Sequence, residues 1–518
     1  MYEVSNSYKD SIYEQSRTVK GRVTFNISDV TALGDIQSTN VSAEFIMSDK
    51  SQLTDLNRDL INYITCETDR VKLDGSFSFT DLINIKETGF ASESLSDINK
   101  LYSTNPTMSF IFGDPHSSIG ITVTFDKTTN EYAEEFRITA YDGVGAIIIQ
   151  EDFVGNTLSQ VVVEGLFYNY ERLDIEIVKW SKVDRRARVA EIDFGVVRVY
   201  DNANLVKMEF IEEVDYLGKV IPTSEITFVV QNIDREFNLL NPEGIYKFLQ
   251  DKQQVLPEIG VIVNGLVEYV PLGEFFLSDW NSDEGGTTAS FTARDRLDIM
   301  STFNYESLVA KTSYTLYDMA VDLFNVCGIT SYIIDNSLSS IFTNGLTEST
   351  DCRTVLQMVS IAGMCHTYTN RKGEIVMKKL TITTINDTLS RDVIFNESKI
   401  TLDKLYRQIN IEYYTNITTK GIYSLNTVNT TGETLSYTKN TLINNLTQAT
   451  NVANWVLGLI DYRAKFTTNY RGNPAYELLD VLQLEDVYQQ VTDTLITKLE
   501  LTYQGYLRSK VETRGVLS

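Results

Sequence analysis

The feature that most constrains this fold is an interruption, because one strand-rich pattern stops near residue 26 and resumes near residue 200. Residues 1–26 have the pattern of a short helix followed by a strand, and residues 200–296 continue with strands of a matching kind. In between, short apolar segments alternate with turn residues about every 8–15 positions, which is typical of an antiparallel β-sandwich. The sequence therefore predicts a scaffold that carries a separate, inserted β-domain over residues 71–196.

The composition favours strands and allows a large core. Of the 518 residues, 42% are hydrophobic, 29 are Tyr and only 7 are Pro, and abundant Tyr, Thr, Ile and Val favour sheets. A chain of this length forms about three to five domains. We predict a mainly β fold with α+β parts. The expected domains are a first β domain at 1–70 with 197–300, the inserted β-sandwich at 71–196, a small α/β unit at 301–385 and a second β domain at 386–518.

The net charge limits the partners that the chain can attract. Asp and Glu total 70 against 45 Lys and Arg, which gives a formal charge of -25 at pH 7. Such a chain repels nucleic acid and anionic lipid in bulk. Two interpretations stay open: the acidity serves solubility alone, or it forms an acidic surface past which a polyanion slides without sticking.

The sequence gives no sign of a targeting segment or a metal site. No segment approaches the ~18 consecutive apolar residues of a membrane span. Charged residues near the start precede any apolar run, so we expect no signal peptide. The cysteines have no CxxC spacing, which predicts buried free thiols in a reducing compartment, no metal site and no cofactor. They are Cys66, Cys327, Cys352 and Cys365.

Hydrophobic periodicity predicts the main elements outside the insert. Ser5 and Ser7 can cap an N-terminal helix, and Gly328 and Gly363 follow two later helical patterns. The expected elements are helices at 2–14, 315–327, 351–362 and 449–466, strands at 20–27 and 41–48, a hairpin that turns at Lys372-Gly373, and a closing strand pair that turns at Gly505.

Few residues have the chemistry of an active site. His116 and His366 are the two histidines, and neighbouring strand residues such as Cys365 and His366 point to opposite faces, which prevents a catalytic pair. No P-loop, HExxH or GxSxG motif is present. Asp279 and Glu284 lie near a Gly-Gly turn, where solvated carboxylates are far commoner than a glycosidase acid pair. The sequence therefore predicts that the chain is not an enzyme.

One cationic cluster stands out in this acidic chain, over residues 182–188. Its arginines are either a solvated strand end or a contact for an acidic partner surface. The neighbouring tryptophan either belongs to the core or forms an aromatic platform for a sugar ring. The candidate partner or glycan contacts are Trp180, Arg185, Arg186 and Arg188.

Five segments together resemble a known family, the tail hub proteins of phages that infect Gram-positive bacteria. The third and fourth segments are the most specific, and the shared order of all five is the stronger evidence. The segments are Met1–Val23 ending in Arg17-Thr18-Val19-Lys20-Gly21-Arg22-Val23, Ile221–Asp234 with Phe228 and Asn232, Val270-Pro271-Leu272-Gly273-Glu274-Phe275-Phe276, Phe291-Thr292-Ala293-Arg294-Asp295-Arg296-Leu297, and Ile496-Thr497-Lys498-Leu499-Glu500-Leu501-Thr502-Tyr503-Gln504-Gly505.

The resemblance covers residues 1–50 and 200–515 and leaves the insert outside. Within the insert, two further segments look like the jelly-roll module that some such hubs carry. These are Val71-Lys72-Leu73-Asp74-Gly75-Ser76 and Ala190-Glu191-Ile192-Asp193-Phe194-Gly195. Many family members continue into a peptidoglycan hydrolase or a long fibre, whereas this sequence ends at Ser518, so we expect no lysin activity in it.

The resemblance implies a structural role at the tip or baseplate of a virion tail, or of a phage-tail-like bacteriocin, assembled in the bacterial cytoplasm. The two β domains would be tube-type β-barrels, and a homotrimer would place six of them in a pseudo-sixfold ring that closes the tail tube. The implied partners are the tail tube or distal tail protein, the C-terminus of the tape-measure protein, and the tip spike or baseplate proteins. DNA would pass through without specific binding, and a host-surface glycan is a further implied partner.

Two other function classes stay open at this point. The first is a carbohydrate-binding adhesin that acts through the inserted sandwich, and the second is a cell-wall hydrolase. Ring formation by the scaffold would favour the hub, glycan binding by the insert would favour the adhesin, and turnover of peptidoglycan would favour the hydrolase.

Overall fold

A computed structural model describes residues 1–72, 74–77, 87–283, 285–306, 314–346, 348–380, 384–416 and 419–516. The fold is mainly β, with 44% strand and 14% helix in several antiparallel sheets, which confirms the predicted fold class. The chain divides into two compact units. Unit 1 comprises Met1–Val23, Tyr200–Arg235 and Val255–Ser518, and unit 2 comprises Thr24–Val199 and Glu236–Gln254.

The helices and strands are numbered along the chain. The helices are α1 (Asn6–Ser11), α2 (Val30–Gly34), α3 (Arg296–Ile299), α4 (Leu316–Val326), α5 (Cys352–Gly363) and α6 (Leu446–Leu459). The strands are β1 (Val19–Ser28), β2 (Ile36–Val41), β3 (Phe90–Ala91), β4 (Thr107–Phe125), β5 (Ala133–Tyr141), β6 (Ile147–Val154), β7 (Gln160–Trp180), β8 (Arg188–Asp193), β9 (Gly195–Tyr200), β10 (Leu205–Glu213), β11 (Glu225–Gln231), β12 (Gln254–Val263), β13 (Leu266–Pro271), β14 (Phe275–Asn281), β15 (Thr288–Arg294), β16 (Asn304–Tyr305), β17 (Tyr332–Ile334), β18 (Thr350–Asp351), β19 (His366–Thr369), β20 (Ile375–Lys378), β21 (Asp387–Leu389), β22 (Lys399–Leu402), β23 (Tyr406–Tyr414), β24 (Lys420–Asn426), β25 (Glu433–Tyr437), β26 (Ala464–Tyr470), β27 (Val481–Glu485), β28 (Val491–Tyr503) and β29 (Leu507–Gly515).

Unit 1 is built on a long sheet with the strand order β22-β26-β29-β28-β10-β11-β15-β14-β12. Strands far apart in the chain meet at its centre, where β10 pairs with β28 in antiparallel register and Phe210 lies opposite Leu501. Alternation explains why these segments form strands: in β11, Ile226, Phe228 and Val230 are fully buried while the residues between them are not. One face of the sheet therefore packs on the core and the other is solvated.

The helices α4, α5 and α6 of unit 1 lie between β15 and β26 in the chain and pack around one apolar core. Thr315 and Asp318 form a capping box at the start of α4, which satisfies backbone donors that the first turn leaves unpaired. Both predicted helices, 315–327 and 351–362, are confirmed by α4 and α5, and the predicted hairpin is confirmed by the pairing of β19 with β20.

Three predicted elements differ from the helices and strands of the structure. The helix predicted over 449–466 is α6, which ends at Leu459 because residues 464–470 form β26 between β22 and β29. The helix predicted over 2–14 is the single turn and a half of α1, capped by Ser5. The strand predicted over 41–48 is wrong, because residues 36–41 form β2 and pair with β4.

Unit 2 contains a sheet with the strand order β3-β8-β4-β7-β5-β6, to which β2 adds on β4. Its core buries aromatic side chains such as Phe110, Phe112 and Trp180. Among the short apolar segments of the predicted insert, the structure joins 107–112 with 119–125 in β4 and 160–163 with 173–180 in β7. Their register shifts between Ile111 and Gly120, and such bulges let one strand bend and change partners.

The domain boundaries at 71 and 196 stay predictions. The compact unit that contains the predicted insert is longer, since it begins at Thr24 and also takes in residues 236–254. Leu73, in the jelly-roll resemblance, lies outside the described residues. In the described parts of the chain, no helix has the length and apolar character needed to cross a membrane.

Candidate functional site

One candidate surface is the solvated face of the long sheet in unit 1, over β26, β29, β28, β10, β11 and β15. Along each strand every second residue is buried, as at Leu499, Leu501 and Tyr503 of β28. The cross-strand registers place the alternate residues on one continuous surface. We call it the ladder face, and it consists of Lys465, Thr467, Asn469, Arg508, Lys510, Glu512, Arg514, Lys498, Glu500, Thr502, Lys207, Glu209, Ile211, Glu213, Glu225, Thr227, Val229, Gln231, Thr288, Ser290, Thr292 and Arg294.

Six charged side chains of alternating sign cross four strands of this face in an unbroken chain of ion pairs. In order they are Glu213, Lys498, Glu500, Lys510, Glu512 and Lys465, with successive N–O distances of 3.2, 3.7, 3.0, 4.0 and 3.3 Å. Partial burial would lower the pKa of the Lys498 amine, but the hydrogen bond and charge of Glu213 outweigh it and the pKa is raised. Lys498 is therefore held as a paired cation.

The other cations of the ladder face are paired too, with one exception. Lys207 contacts Glu209 at 2.9 Å, Arg294 contacts Glu225 at 3.1 Å, and Arg514 pairs with Asp403. Arg508 is exposed and has no carboxylate partner within the described part of the chain. A polyanion gains affinity by neutralising phosphates with free Lys or Arg, so this face offers it few contacts despite its many cations.

The long sheet ends at β22, which pairs with β26 on one side only in the described residues. All four β22 residues are exposed, and the side chains of Ile400 and Leu402 are 50% and 54% exposed. Phe395, a few residues before, is 57% exposed. An open edge with apolar side chains is a surface that favours pairing with another strand.

The two most specific resemblance segments meet in unit 1. Val270–Phe276 runs from β13 into β14, and Phe291–Leu297 runs from β15 into α3. Arg296 Nη2 contacts Glu274 Oε2 at 2.6 Å. Asp295 is fully buried and accepts hydrogen bonds from the Leu297 and Ser224 amides. Burial raises the pKa of Asp295 to about 6, although these hydrogen bonds oppose the shift. The two segments therefore have a structural role in unit 1.

Unit 2 has an open cleft of about 720 Å³, lined by Asp29, Asp35 and His116 among others. The imidazole lies between the two carboxylates, with Nδ1 3.0 Å from Asp29 and Nε2 3.0 Å from Asp35. Hydrogen bonds from His116 and the backbone lower the pKa of Asp35 to about 2. Asp29 also caps α2. These groups hold both ends of α2 against β4, and the Thr31 hydroxyl lies 3.5 Å from Nδ1 of the imidazole.

The four predicted contact residues lie mostly in the interior of unit 2. Trp180 is fully buried and donates its Nε1 hydrogen to Glu131. Arg185 is 4% exposed and also binds Glu131. Arg188 is fully buried against Glu67, and Arg186 is more exposed and binds the carbonyls of residues 92 and 93. The cluster is therefore neither a solvated strand end nor an open cationic patch, and its role in partner or glycan contact stays a prediction.

The other residues considered for catalysis are not brought together. The Cys365 thiol donates to the Gly363 carbonyl and His366 Nε2 bonds to the Tyr216 carbonyl, so the neighbours form no pair. Burial lowers the pKa of His366. Asp279 is exposed, and Glu284 lies outside the described residues.

The cysteines differ in burial, which corrects the prediction that all four are buried. Cys352 and Cys365 are buried, Cys327 is half-buried and Cys66 is exposed, and all four are free thiols. In the described ranges, no group of three or more His, Cys, Asp or Glu side chains is placed to hold a metal ion.

The ladder face was not identified from the sequence, although a signal was present. A Lys-x-Glu triplet occurs in β10, β28 and β29, at 207–209, 498–500 and 510–512. Residues two apart share a face of a strand, so each triplet predicts a charged pair on the solvated side. The pairing of the triplets with one another depends on register, which the triplets do not specify.

No protein-family model and no curated protein matches the sequence. The fold is similar to solved tail proteins at low identity. Against the tail protein from Neisseria meningitidis MC58 the TM-score is 0.43 at 11% identity, covering 61% of this chain and 93% of that one. Against the 43 kDa tail protein of prophage MuSo2 from Shewanella oneidensis it is 0.44 at 11%, covering 61% and 95%. Against a prophage tail protein from Listeria monocytogenes EGD-e it is 0.37 at 12%, covering 61% and 91%.

Proposed function

We propose that this chain is a structural component of a phage tail or phage-tail-like particle, acting as the hub at its tip. The ordered resemblance of five segments supports the proposal, and all five lie in unit 1 of a mainly β fold. A hub needs strands that can continue into a ring and a face that a polyanion can pass. Unit 1 supplies a candidate for each, the β22 edge and the ladder face.

The ladder face is the observation that carries the proposal furthest. The chain has a formal charge of -25, yet this face concentrates Lys and Arg and pairs nearly all of them with carboxylates. A solubilising surface has no need of such pairing. A tube lining benefits from it, because paired cations neither bind phosphate strongly nor add a large repulsive field. We assign the ladder face to the lumen.

The β22 edge supports assembly into a homotrimer. β22 lies beside β26, at one end of the ladder face, so a strand of a neighbouring copy paired there would extend both the sheet and its solvated face. A repeated head-to-tail contact of this kind closes into a ring when the rotation permits. The proposed position at the tail tip implies the remaining partners, which are the tube or distal tail protein, the tape-measure C-terminus, and spike or baseplate proteins.

We also propose that the chain has no catalytic activity. Asp279 is solvated on a strand, and His116 is held between two carboxylates that have structural bonds of their own. The adhesin alternative would need a glycan surface other than Trp180 and Arg188, because both are fully buried. Purified protein is expected to release no sugar or peptide from bacterial cell walls.

Oligomeric state tests the hub proposal directly. Light scattering of the purified chain is expected to give three times the chain mass, or to do so once the tube protein is added. Replacing Ile400 and Leu402 by Glu should reduce the particle to monomer, because two charges at the edge oppose strand pairing. Val428→Glu is the control, since Val428 is 96% exposed in a loop. A monomer under all conditions would refute the proposed trimer.

A nucleic-acid binding assay tests the assignment of the ladder face. The double variant Glu500→Gln, Glu512→Gln removes carboxylates from three lysines, so it should bind a labelled DNA more tightly, with a steeper dependence on salt. A control of equal charge is Glu397→Gln, Glu433→Gln, which releases Arg391 and Lys404 on other surfaces. Equal DNA binding by both variants would mean that the ladder pairing does not suppress phosphate contacts.

A further inference from the structure

Arg17 and Arg471 lie side by side in unit 1 and bind backbone carbonyls rather than carboxylates. Arg17 Nη1 donates to the Gly472 carbonyl at 2.9 Å, and its Nη2 donates to the Arg471 carbonyl. Arg471 Nη1 donates to the Tyr13 carbonyl at 2.9 Å, and its Nη2 donates to the Gln15 carbonyl at 3.2 Å. Neither guanidinium forms an ion pair with a residue that the structure describes. The two groups therefore hold distant segments together while their positive charges stay uncompensated.

Both arginines line a cleft of about 410 Å³. Its other lining residues include Phe395 and Tyr506, whose side chains are 57% and 56% exposed, and the exposed Thr18. Burial and the positive charge of Arg471 lower the pKa of Arg17 to about 10. A carboxylate in the cleft would relieve the repulsion between the two cations, and its hydrogen bonds to a guanidinium would be charge-assisted. The cleft therefore has the chemistry of a site for an acidic side chain with apolar neighbours.

The cleft lies at one end of the open edge that β22 forms. Before β22, residues 393–395 continue along β26. Phe395 donates its amide hydrogen to the Asn469 carbonyl at 2.9 Å, and Arg471 donates its amide hydrogen to the Val393 carbonyl at 3.0 Å. A strand that pairs along this edge would therefore end beside the two arginines.

We propose that the cleft between Arg17 and Arg471 binds a carboxylate of a second copy of this chain, at the contact that builds the trimer. The inference rests on the proposed function, which places the neighbouring copy along the β22 edge. Charge favours this occupant, because each copy has a formal charge of -25 and two such copies repel unless cations lie at their contact. In a head-to-tail ring, every copy offers one cleft and one acidic surface. The exposed rings of Phe395 and Tyr506 would pack on the side chains around that carboxylate.

Filling the cleft with a carboxylate of the same chain tests the proposal. Thr18→Glu places that group beside both arginines and leaves their bonds to the carbonyls intact. Thr18→Gln is the matched control, because glutamine has nearly the same size and no charge. Sedimentation is measured over a concentration series under conditions in which the parent assembles. We expect Thr18→Glu to raise the concentration needed for the trimer by about tenfold or more, and Thr18→Gln to match the parent.

Tyr506→Glu and Tyr506→Gln repeat the comparison at an exposed residue between β28 and β29, so the test does not depend on one variant that fails to fold. Equal assembly of the Glu and Gln variants, all folded by circular dichroism, would refute the proposed cleft contact and leave the trimer standing. A trimer that persists in the Glu variants while binding of the tube protein is lost would assign the cleft to that partner and also overturn the proposal. A parent chain that stays monomeric under all conditions would refute both this inference and the proposed hub.

Discussion

Replacing Arg188 by Met separates the two roles that this residue could have. Arg188 is fully buried in β8, and its guanidinium donates two hydrogen bonds to the carboxylate of Glu67, one of them at 3.0 Å. Glu67 also accepts from the Arg186 amide and from the Thr65 hydroxyl. Burial would raise the pKa of Glu67, but Arg188 outweighs it and the pKa lies below its usual value. The pair is therefore ionised and structural.

The magnitude follows from burial. Removing one partner of a buried ion pair leaves the other charge without compensation and costs about 3–5 kcal/mol. At about 1.4 kcal/mol per factor of ten, this lowers the folding equilibrium constant by about a hundredfold to several thousandfold. Arg137 is the matched control in the same unit: its Nε lies 2.6 Å from Asp152, but the side chains are 38% and 54% exposed. An exposed pair contributes only about 0–1 kcal/mol.

Urea denaturation measured by the fluorescence of one tryptophan provides the assay. The chain has three Trp residues, and Trp280→Phe with Trp455→Phe leaves Trp180, which lies in unit 2. In that background Arg188→Met should unfold at much lower urea than Arg137→Met. The difference in urea midpoint between Arg188→Met and the parent should become smaller below about pH 4. The pKa of the Glu67 carboxylate is lower in the folded protein than in the unfolded chain, so the ionised pair stabilises the fold only above the pKa of the unfolded state.

An unchanged urea midpoint for Arg188→Met would refute the reasoning. It would mean that the guanidinium is solvated in solution, and the predicted contact with an acidic partner would then gain support. A large shift for Arg137→Met as well would show that the assay does not distinguish buried from exposed pairs.

Three further predictions concern backbone space and pH. Gly21→Ala should destabilise unit 1 by about 1–3 kcal/mol, since a Cβ at this position would lie 2.5 Å from the Tyr503 ring. The control is Gly458→Ala, which should not lower the melting temperature because a Cβ there would have nothing within 4 Å. The raised pKa of Asp295, about 6, means that unit 1 loses stability as pH rises from about 4 to 6, and Asp295→Asn should remove that slope. The lowered pKa of Asp35, about 2, means that unit 2 loses stability as pH falls from about 4 to 2, a slope that Asp35→Asn should reduce in acid denaturation.

Local patterns predicted much of the fold. Alternating apolar residues predicted the strands within residues 200–296 and the closing strand pair at Gly505, because a strand on a core must bury every second side chain. Helical spacing that ends at a Gly predicted α4 and α5. Such signals are short-range, so a single sequence contains them. Where a helical pattern ran into a strand, as at residues 459–464, sheet pairing decided the boundary.

Burial of charge could not be predicted in this way. The cluster of Arg185, Arg186 and Arg188 has the composition of a surface patch, and a sequence does not show that Glu67 and Glu131 lie against it from more than 50 positions away. Charged groups become buried only when partners from other elements compensate them. The interior position of Trp180 followed from the same packing.

By itself, the sequence determined the mainly β fold class and contained the Lys-x-Glu triplets of β10, β28 and β29. The tertiary structure alone decided that the triplets of β28 and β29 join Glu213 and Lys465 in one chain of ion pairs, because the register of β28 with β10 and of β29 with β28 and β26 brings these side chains into line. This outcome depends on contacts between distant segments, and the free energy that holds them in register comes from packing the whole core rather than from any local pattern.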